Sequence, residues 1–396
     1  MTRSFVRFFS AACAVFLLLC GASPLASETV VDNTYGWSLD MPEGFKVSDA
    51  TEDGTSYLLS YGSVPVVTAI KLYAHGVYES SGAAFDGAVG KLPDGKGEKE
   101  SFEWRGADSA LGTFSMTLGG IRYTGWALSV ELPLNGAHIV ILCYANERNE
   151  KNYEPFILSI LNSLAVDRGS GREAGIVARY AYPSAERKDI ELSIGGKTIR
   201  TSIGAEDEQA SDFVVDTEFA VLKMYASSPL WKQAWQRYYR AIFRDSFGRL
   251  KRTAFDIQSA LAEDAAAYNG APSDTALASL LLTWVQDFRY ERKINAADFT
   301  SLPAALTGSG SDCDTRSLLL CALLENMGTK CALFVSRDYS HALFGALVPS
   351  ASPKENARMS AGGNDFLLGE TTSHVPIGLI ASDFSDAHKW IAVELP

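Results

Sequence analysis

The sequence predicts a mixed α+β protein of two domains behind an export signal, and three observations carry that expectation. Residues 31–166 are a string of short alternating stretches separated by turn signals and closed by an amphipathic segment. A polar, glycine-rich run at 167–173 then breaks the pattern. Further on, a glycine-led helix beginning at Cys313 is followed by two apolar strands. At roughly 150 residues per domain, the 396 residues suit two domains, each long enough to bury a core. The expected divisions are 1–27 (signal), 28–168 (first α/β domain), 169–210 (linker and hairpin) and 211–396 (second domain).

Charge limits the partners. With 35 Lys+Arg against 47 Asp+Glu the net charge is −12, and no basic cluster offers the positive surface that nucleic acid requires. At 47% apolar and 21% charged, the composition is that of a folded globular chain. The first 27 residues carry Arg3 and Arg7, an apolar run at 11–19, then small residues, with no acid. This is the layout of a secretory signal, with an apolar run shorter than the roughly 18 residues of a membrane span. Its removal leaves a mature charge of about −14. Leu17-Leu18-Leu19-Cys20-Gly21 resembles a bacterial lipobox, with Leu before the cysteine where that motif has a small residue. A soluble periplasmic or extracellular form and a form lipid-anchored at Cys20 both follow. Four thiols remain in the folded chain, Cys143, Cys313, Cys321 and Cys331; if one disulfide forms, Cys321–Cys331 is the expected pair.

In the first domain, Gly119-Gly120 and Asn135-Gly136 sit between alternating stretches and favour tight hairpins. Residues 121–132 and 138–144 read as paired strands. Tyr153, Phe156, Ile157, Ile160, Leu161 and Leu164 form an apolar stripe suited to lie on a sheet. The segments Tyr35-Gly36-Trp37-Ser38-Leu39-Asp40-Met41-Pro42-Glu43-Gly44-Phe45 and Ile160-Leu161-Asn162-Ser163-Leu164 resemble those of PsbP-like α/β domains, a likeness that implies an accessory or binding module. His75 and His138 show no partner pattern and read as ordinary sheet histidines.

After the break, residues 190–194, Gly195-Gly196 and 197–203 read as a hairpin. Ser228-Pro229 starts a helix, with Trp231, Trp235, Tyr238 and Ile242 on one face, and a further helix runs from Ser273 to about Gln286. Gly308-Ser309-Gly310-Ser311-Asp312 then opens a helix that stops at Gly328. Cys313 thus sits in a first helical turn, where free amides and the dipole favour a thiolate over a thiol of ordinary pKa near 8.5. Asp312 and Asp314 oppose this, and Arg316, one turn on, is placed to offset one of them.

A nucleophilic thiol needs a base held by a third group. Residues 330–336 read as a strand, His341 opens a second one, a loop spans 349–363, and a third strand at 365–370 ends in Glu370. An antiparallel return sets Glu370 beside His341, whereas Asp365 is left about 17 Å along the strand. Gly310-Ser311-Asp312-Cys313-Asp314 before a helix, His341 opening a strand, and an acid followed by Thr371 resemble the bacterial transglutaminase-like superfamily of papain-like thiol enzymes. Glu370 stands where that superfamily more often has Asp. The likeness implies a Cys-bearing helix packed on an antiparallel sheet, with Cys313 as nucleophile, His341 as general base and acid, and Glu370 as orienting acid. A peptide or protein substrate would then react through a Cys thioester, hydrolysis being favoured over cross-linking. The other reading is an inactive binding or scaffolding protein of the same fold.

Acyl transfer also needs an oxyanion donor, for which the Cys313 amide and, less directly, the Gln286 side chain are placed. No carboxylate run resembles a calcium loop, and Cys313, Cys321, Cys331 and His341 have no zinc-knuckle spacing, so no metal or cofactor is expected. His374 and His388 read as incidental.

Overall fold

A computed structural model describes residues 29–268, 272–292, 297–350 and 352–396. The expected signal and Cys20 lie outside the described residues. The chain is a mixed α+β protein with antiparallel sheets and helices, and it divides into two compact units. One comprises the described residues up to Ser170 with Gly175–Tyr180; the other comprises Gly171–Ala174 and Ala181–Pro396.

The first unit begins with the hairpin β1 (Thr29–Asp32) and β2 (Trp37–Asp40). A seven-stranded antiparallel sheet follows, made of β3 (Lys46–Ala50), β4 (Ser56–Tyr61), β5 (Val64–Tyr73), β6 (Lys96–Trp104), β7 (Ala107–Leu118), β8 (Ile121–Glu131) and β9 (His138–Asn146). Its order is β3-β4-β5-β9-β8-β7-β6. Helix α1 (Ser81–Val89) and helix α2 (Glu150–Asn162) pack on it. Central β9 is buried along nearly its whole length because the helices take opposite faces. Val140, Leu142 and Tyr144 join Phe85 of α1, Phe114 and Met116 in one core. The alternate residues Ile139, Ile141 and Cys143 point the other way. On that side Trp126, paired with Cys143, donates its indole N–H to Glu154 of α2 at 3.1 Å. The β7–β8 turn has Gly119 and Gly120 both at positive φ (58° and 78°), which a tight hairpin of native twist demands.

His138 lies on the α1 face, opposite Tyr73 and Glu131. It is 4% exposed, and among the described residues neither ring nitrogen has a hydrogen-bond partner. Burial holds its pKa below the ordinary value, with Glu131 and Asp108 opposing. A base with a depressed folded pKa is stabilising above the unfolded value and loses that contribution as pH falls through the folded one. The unfolding free energy is therefore expected to drop between pH 7 and 5, by at most about 1.4 kcal/mol per pH unit from this group, and the thermal midpoint to fall with it. His138→Leu should flatten that part of the profile; calorimetry at both pH values checks it, and an unchanged slope contradicts it.

Helix α3 (Ile176–Ala181) falls in the first unit except for its last residue. The hairpin β10 (Arg187–Ile194) and β11 (Lys197–Gly204), expected within a linker, belongs to the second unit's core. Its inward residues Leu192, Ile194, Ile199 and Ile203 bury with Ile257 and Leu261 of helix α6 (Lys251–Ala267). Helices α4 (Asp207–Met224), α5 (Trp231–Arg249), α7 (Ser273–Gln286), α8 (Leu302–Leu306) and α9 (Cys313–Asn326) complete the helical layer. Nearly every side chain of α9 from Cys313 to Leu324 is buried, because α5, α6, α7 and α8 surround it and the sheet covers the remaining side. That sheet contains β12 (Cys331–Ser336), β13 (His341–Ala346), β14 (Arg358–Ala361), β15 (Asn364–Gly369) and β16 (Ile391–Glu394), in the order β14-β15-β13-β12-β16. Two of these strands, β14 inside the expected 349–363 loop and β16 near the C-terminus, are too short to show a period in sequence.

A buried ionic cluster ties α4 to α5. Arg249 donates to Asp245 (2.8 and 3.1 Å) and Asp207 (2.7 Å), Ser211 donates to Asp245, and the Gly204 amide donates to Asp207. Removing the guanidinium strands two buried carboxylates, so Arg249→Met is expected to cost about 3–5 kcal/mol. Urea unfolding measures this; a loss under 1 kcal/mol would contradict it.

Candidate active site

The loop leading into α9 is pinned from two sides. The Ser311 amide donates to Arg289 O (3.0 Å), the Glu291 amide donates to Ser311 O (3.2 Å), and the Thr300 hydroxyl donates to Gly310 O (2.7 Å). A Cβ on Gly310 would lie 2.6 Å from Glu291 Cβ, so a larger residue here forces the 291 segment aside. Asp312 caps the helix by accepting the Thr315 amide at 3.0 Å. Cys313 follows as the first helical residue, 3% exposed.

Its sulfur donates to Asp314 Oδ1 at 3.2 Å and faces the backbone amide of Ala342. Asp314 Oδ2 in turn accepts the Tyr239 hydroxyl. Burial, with Asp314 and Asp312 beside it, pushes the Cys313 thiol well up. Burial and Asp314 likewise raise Asp312 to about 7. The Ala342 amide pulls the thiol the other way.

His341 opens β13 opposite Ser336, and the turn that delivers it closes on Ser340 at φ +50°. Its Nε2 lies 2.7 Å from Glu370 Oε2, directly after β15. The other Glu370 oxygen accepts the Thr372 amide (2.7 Å) and hydroxyl (2.6 Å). Burial acts against this carboxylate, yet the bonds from His341 and Thr372 hold it below the usual range. An ionised Glu370 only accepts, so Nε2 carries the ring proton and Nδ1 keeps its lone pair. The imidazole stacks on Phe384, with centroids 4.9 Å apart, and Trp390 lies edge-on at 6.4 Å.

Two expected roles are corrected. Gln286 Nε2 donates to Glu370 O (2.8 Å) and Val375 O (2.9 Å), so both amide hydrogens are used and none is left for an oxyanion. Gln286 instead fixes the segment that presents Glu370. Arg316 bonds neither aspartate. Its guanidinium, 2% exposed, donates to Phe288 O (2.5 Å), Thr371 O (2.9 Å) and Ser311 Oγ (3.3 Å), and lies over the Tyr290 ring. Its fixed donors are taken by these two carbonyls and the Ser311 hydroxyl, while Asp312 is used as the helix cap.

Tyr239, Phe384 and the Ala342 amide were not identified from sequence. The aromatic stripe the sequence shows, Trp231, Trp235, Tyr238 and Ile242, does not include Tyr239. All four cysteines among the described residues are free and buried; Cys321 and Cys331 are neighbours without a disulfide, and their sulfurs reach Ala332 O and Thr329 O. His75 finds Gly136 O at 3.3 Å, and His374 lies 3.8 Å from Asp287 at the surface. Among the described residues, no three His, Cys, Asp or Glu side chains converge on a metal position.

No protein-family model matches the chain, and no curated protein matches it. Among solved structures it is similar to PsbP (CyanoP) from Synechocystis sp. PCC 6803, at 10% identity and TM-score 0.30, over 39% of this chain and 98% of that one. It is also similar to LpqN of Mycobacterium tuberculosis, involved in cell envelope biogenesis, at 14% identity and TM-score 0.27, over 33% and 83%. A third likeness is to the Saccharomyces cerevisiae Ran-binding protein Mog1p, at 7% identity and TM-score 0.28, over 37% and 98%. The PsbP and Mog1 likenesses fall on the N-terminal part of the chain.

The Arg316 fork yields a stability prediction. Lysine keeps the charge but reaches fewer acceptors, leaving at least one buried carbonyl unpaired. Arg316→Lys is expected to lose about 1–3 kcal/mol in chemical unfolding; wild-type stability would show that the three bonds do not hold the site together.

Proposed function

We propose that this chain is an exported thiol enzyme of transglutaminase-like type, acting on a peptide or amide carbonyl through a Cys313 thioester. The observation that supports it is the 2.7 Å His341–Glu370 pair, which leaves Nδ1 as a base at the end of β13 where the next amide, Ala342, faces the sulfur. In this reading His341 Nδ1 takes the thiol proton as Sγ bonds the carbonyl carbon. The developing oxyanion meets the Cys313 amide, one of those without an intrahelical acceptor. Collapse breaks the C–N bond, and the imidazolium passes its proton to the departing amine. Water then attacks the thioester while His341 takes its proton, and the acid leaves as the thiol re-forms. Hydrolysis is favoured over cross-linking because water needs no second binding site.

A second reading, an inactive scaffold of the same fold, is favoured by one observation: the thiol donates to Asp314 and not to His341. Iodoacetamide labelling of Cys313, located by mass spectrometry, separates the two. For an enzyme, His341→Ala should slow labelling about tenfold or more at the pH where wild type labels fastest, and reduce amide hydrolysis by about 10²–10⁴-fold. Cys313→Ser should abolish turnover. Labelling indifferent to His341, with no hydrolysis in wild type, would establish the scaffold.

A further inference from the structure

The hydrogen-bond pattern around the sulfur differs from that of a thiol already shared with its base. Cys313 gives its proton to Asp314 Oδ1 at 3.2 Å, and Asp314 is held in that position by the Tyr239 hydroxyl on its second oxygen. Tyr239 is itself fixed, 1% exposed, packed against Tyr238, Trp235 and Phe299. The carboxylate therefore cannot swing away without leaving a buried phenol unpartnered.

We infer that Asp314, clamped by Tyr239, is a positioning residue that keeps Cys313 in a resting thiol state, and that protonation of Asp314 releases it. This rests on the thiol-enzyme reading and adds its regulation. While Asp314 is ionised it can only accept, so it competes with His341 for the thiol proton and repels a thiolate. Once Asp314 takes a proton from solvent it becomes a donor. The thiol proton then passes to His341 Nδ1, and Asp314 O–H bonds the resulting thiolate within a Cys–His ion pair.

The groups facing Asp314 set where this occurs. They are Tyr238 and Tyr239 on α5, Tyr290 after α7, Asp312 and Cys313 at the start of its own helix, and the Asp298–Arg292 ion pair (2.9 Å) on the preceding segment. Burial raises Asp314 and the Tyr239 bond lowers it. Release thus follows a fall in pH, opposite in sense to an ordinary thiol, whose reactivity only climbs with pH.

The test is the Cys313 labelling rate of the full mature chain from pH 5 to 9, in wild type, Asp314→Asn, Tyr239→Phe and Asp314→Asn/His341→Ala. Asp314→Asn should label about tenfold or more faster at pH 7 and lose the fall in rate that wild type shows from acid to neutral pH. Tyr239→Phe removes a bond that holds Asp314 ionised, so the falling limb should move to higher pH. A folded Asp314→Asn that labels at or below the wild-type rate overturns the inference. Where Asp314→Asn does not fold, an unmoved limb in Tyr239→Phe overturns it. Fast labelling in Asp314→Asn that persists without His341 keeps the Asp314 restraint and removes the enzyme reading. Slow labelling in Asp314→Asn alongside a strong His341 dependence in wild type does the reverse.

Discussion

The site depends on burying one guanidinium. Arg316 is 2% exposed, and taking its charge out of water is tolerable only when its donors meet acceptors of fixed position. Those acceptors are Phe288 O at the end of α7, Ser311 Oγ before α9 and Thr371 O after β15. Satisfying one side chain therefore brings together the three segments that carry Gln286, Cys313 and Glu370. The second support, Gln286 bridging Glu370 O and Val375 O, works on one of the same segments, so the acid is held through its backbone before its carboxylate meets His341.

At Cys313 two electrostatic influences compete, and their sizes decide the outcome. A helix N-terminus favours an anion by about 0.3–1 kcal/mol, and up to about 2 when partly buried. A carboxylate about 4 Å from a thiolate in partly buried surroundings opposes it by about 4 kcal/mol, and desolvation adds to that. The acid and burial win, so the pKa of the thiol lies well above its ordinary value despite its place at a helix start. The position of a cysteine in a helix is thus a weak guide to its ionisation when its immediate neighbour is an aspartate turned toward the sulfur.

Much of the frame was legible because it is local. Glycines before an acidic cap announced the start of α9, Gly-Gly pairs announced two hairpins, and antiparallel return predicted Glu370 rather than Asp365 beside His341. What escaped notice depends on contacts distant in sequence. Nothing near Asp314 announces Tyr239, which comes from another helix, and nothing near Arg316 announces Thr371. Sequence spacing sets Arg316 against a neighbouring aspartate and Gln286 toward an oxyanion, yet Gln286 spends its donors on backbone carbonyls and Arg316 on two carbonyls and the Ser311 hydroxyl, pairings that a sequence does not display. The β10–β11 hairpin is legible as a hairpin, but a two-stranded element looks peripheral in sequence until the face of α6 that covers it is known.

The turn that delivers His341 has a consequence for how related sequences would be read. Ser340 adopts φ +50°, a conformation costing an ordinary side chain about 1–2 kcal/mol and least unfavourable for glycine, asparagine and aspartate. Chains that retain this turn are restricted at position 340 to small or short polar residues, β-branched ones being excluded. An invariant hydroxyl or amide beside an invariant histidine invites assignment as a reacting group. Here the same invariance would record only the backbone's need to bend left-handed one residue before the imidazole.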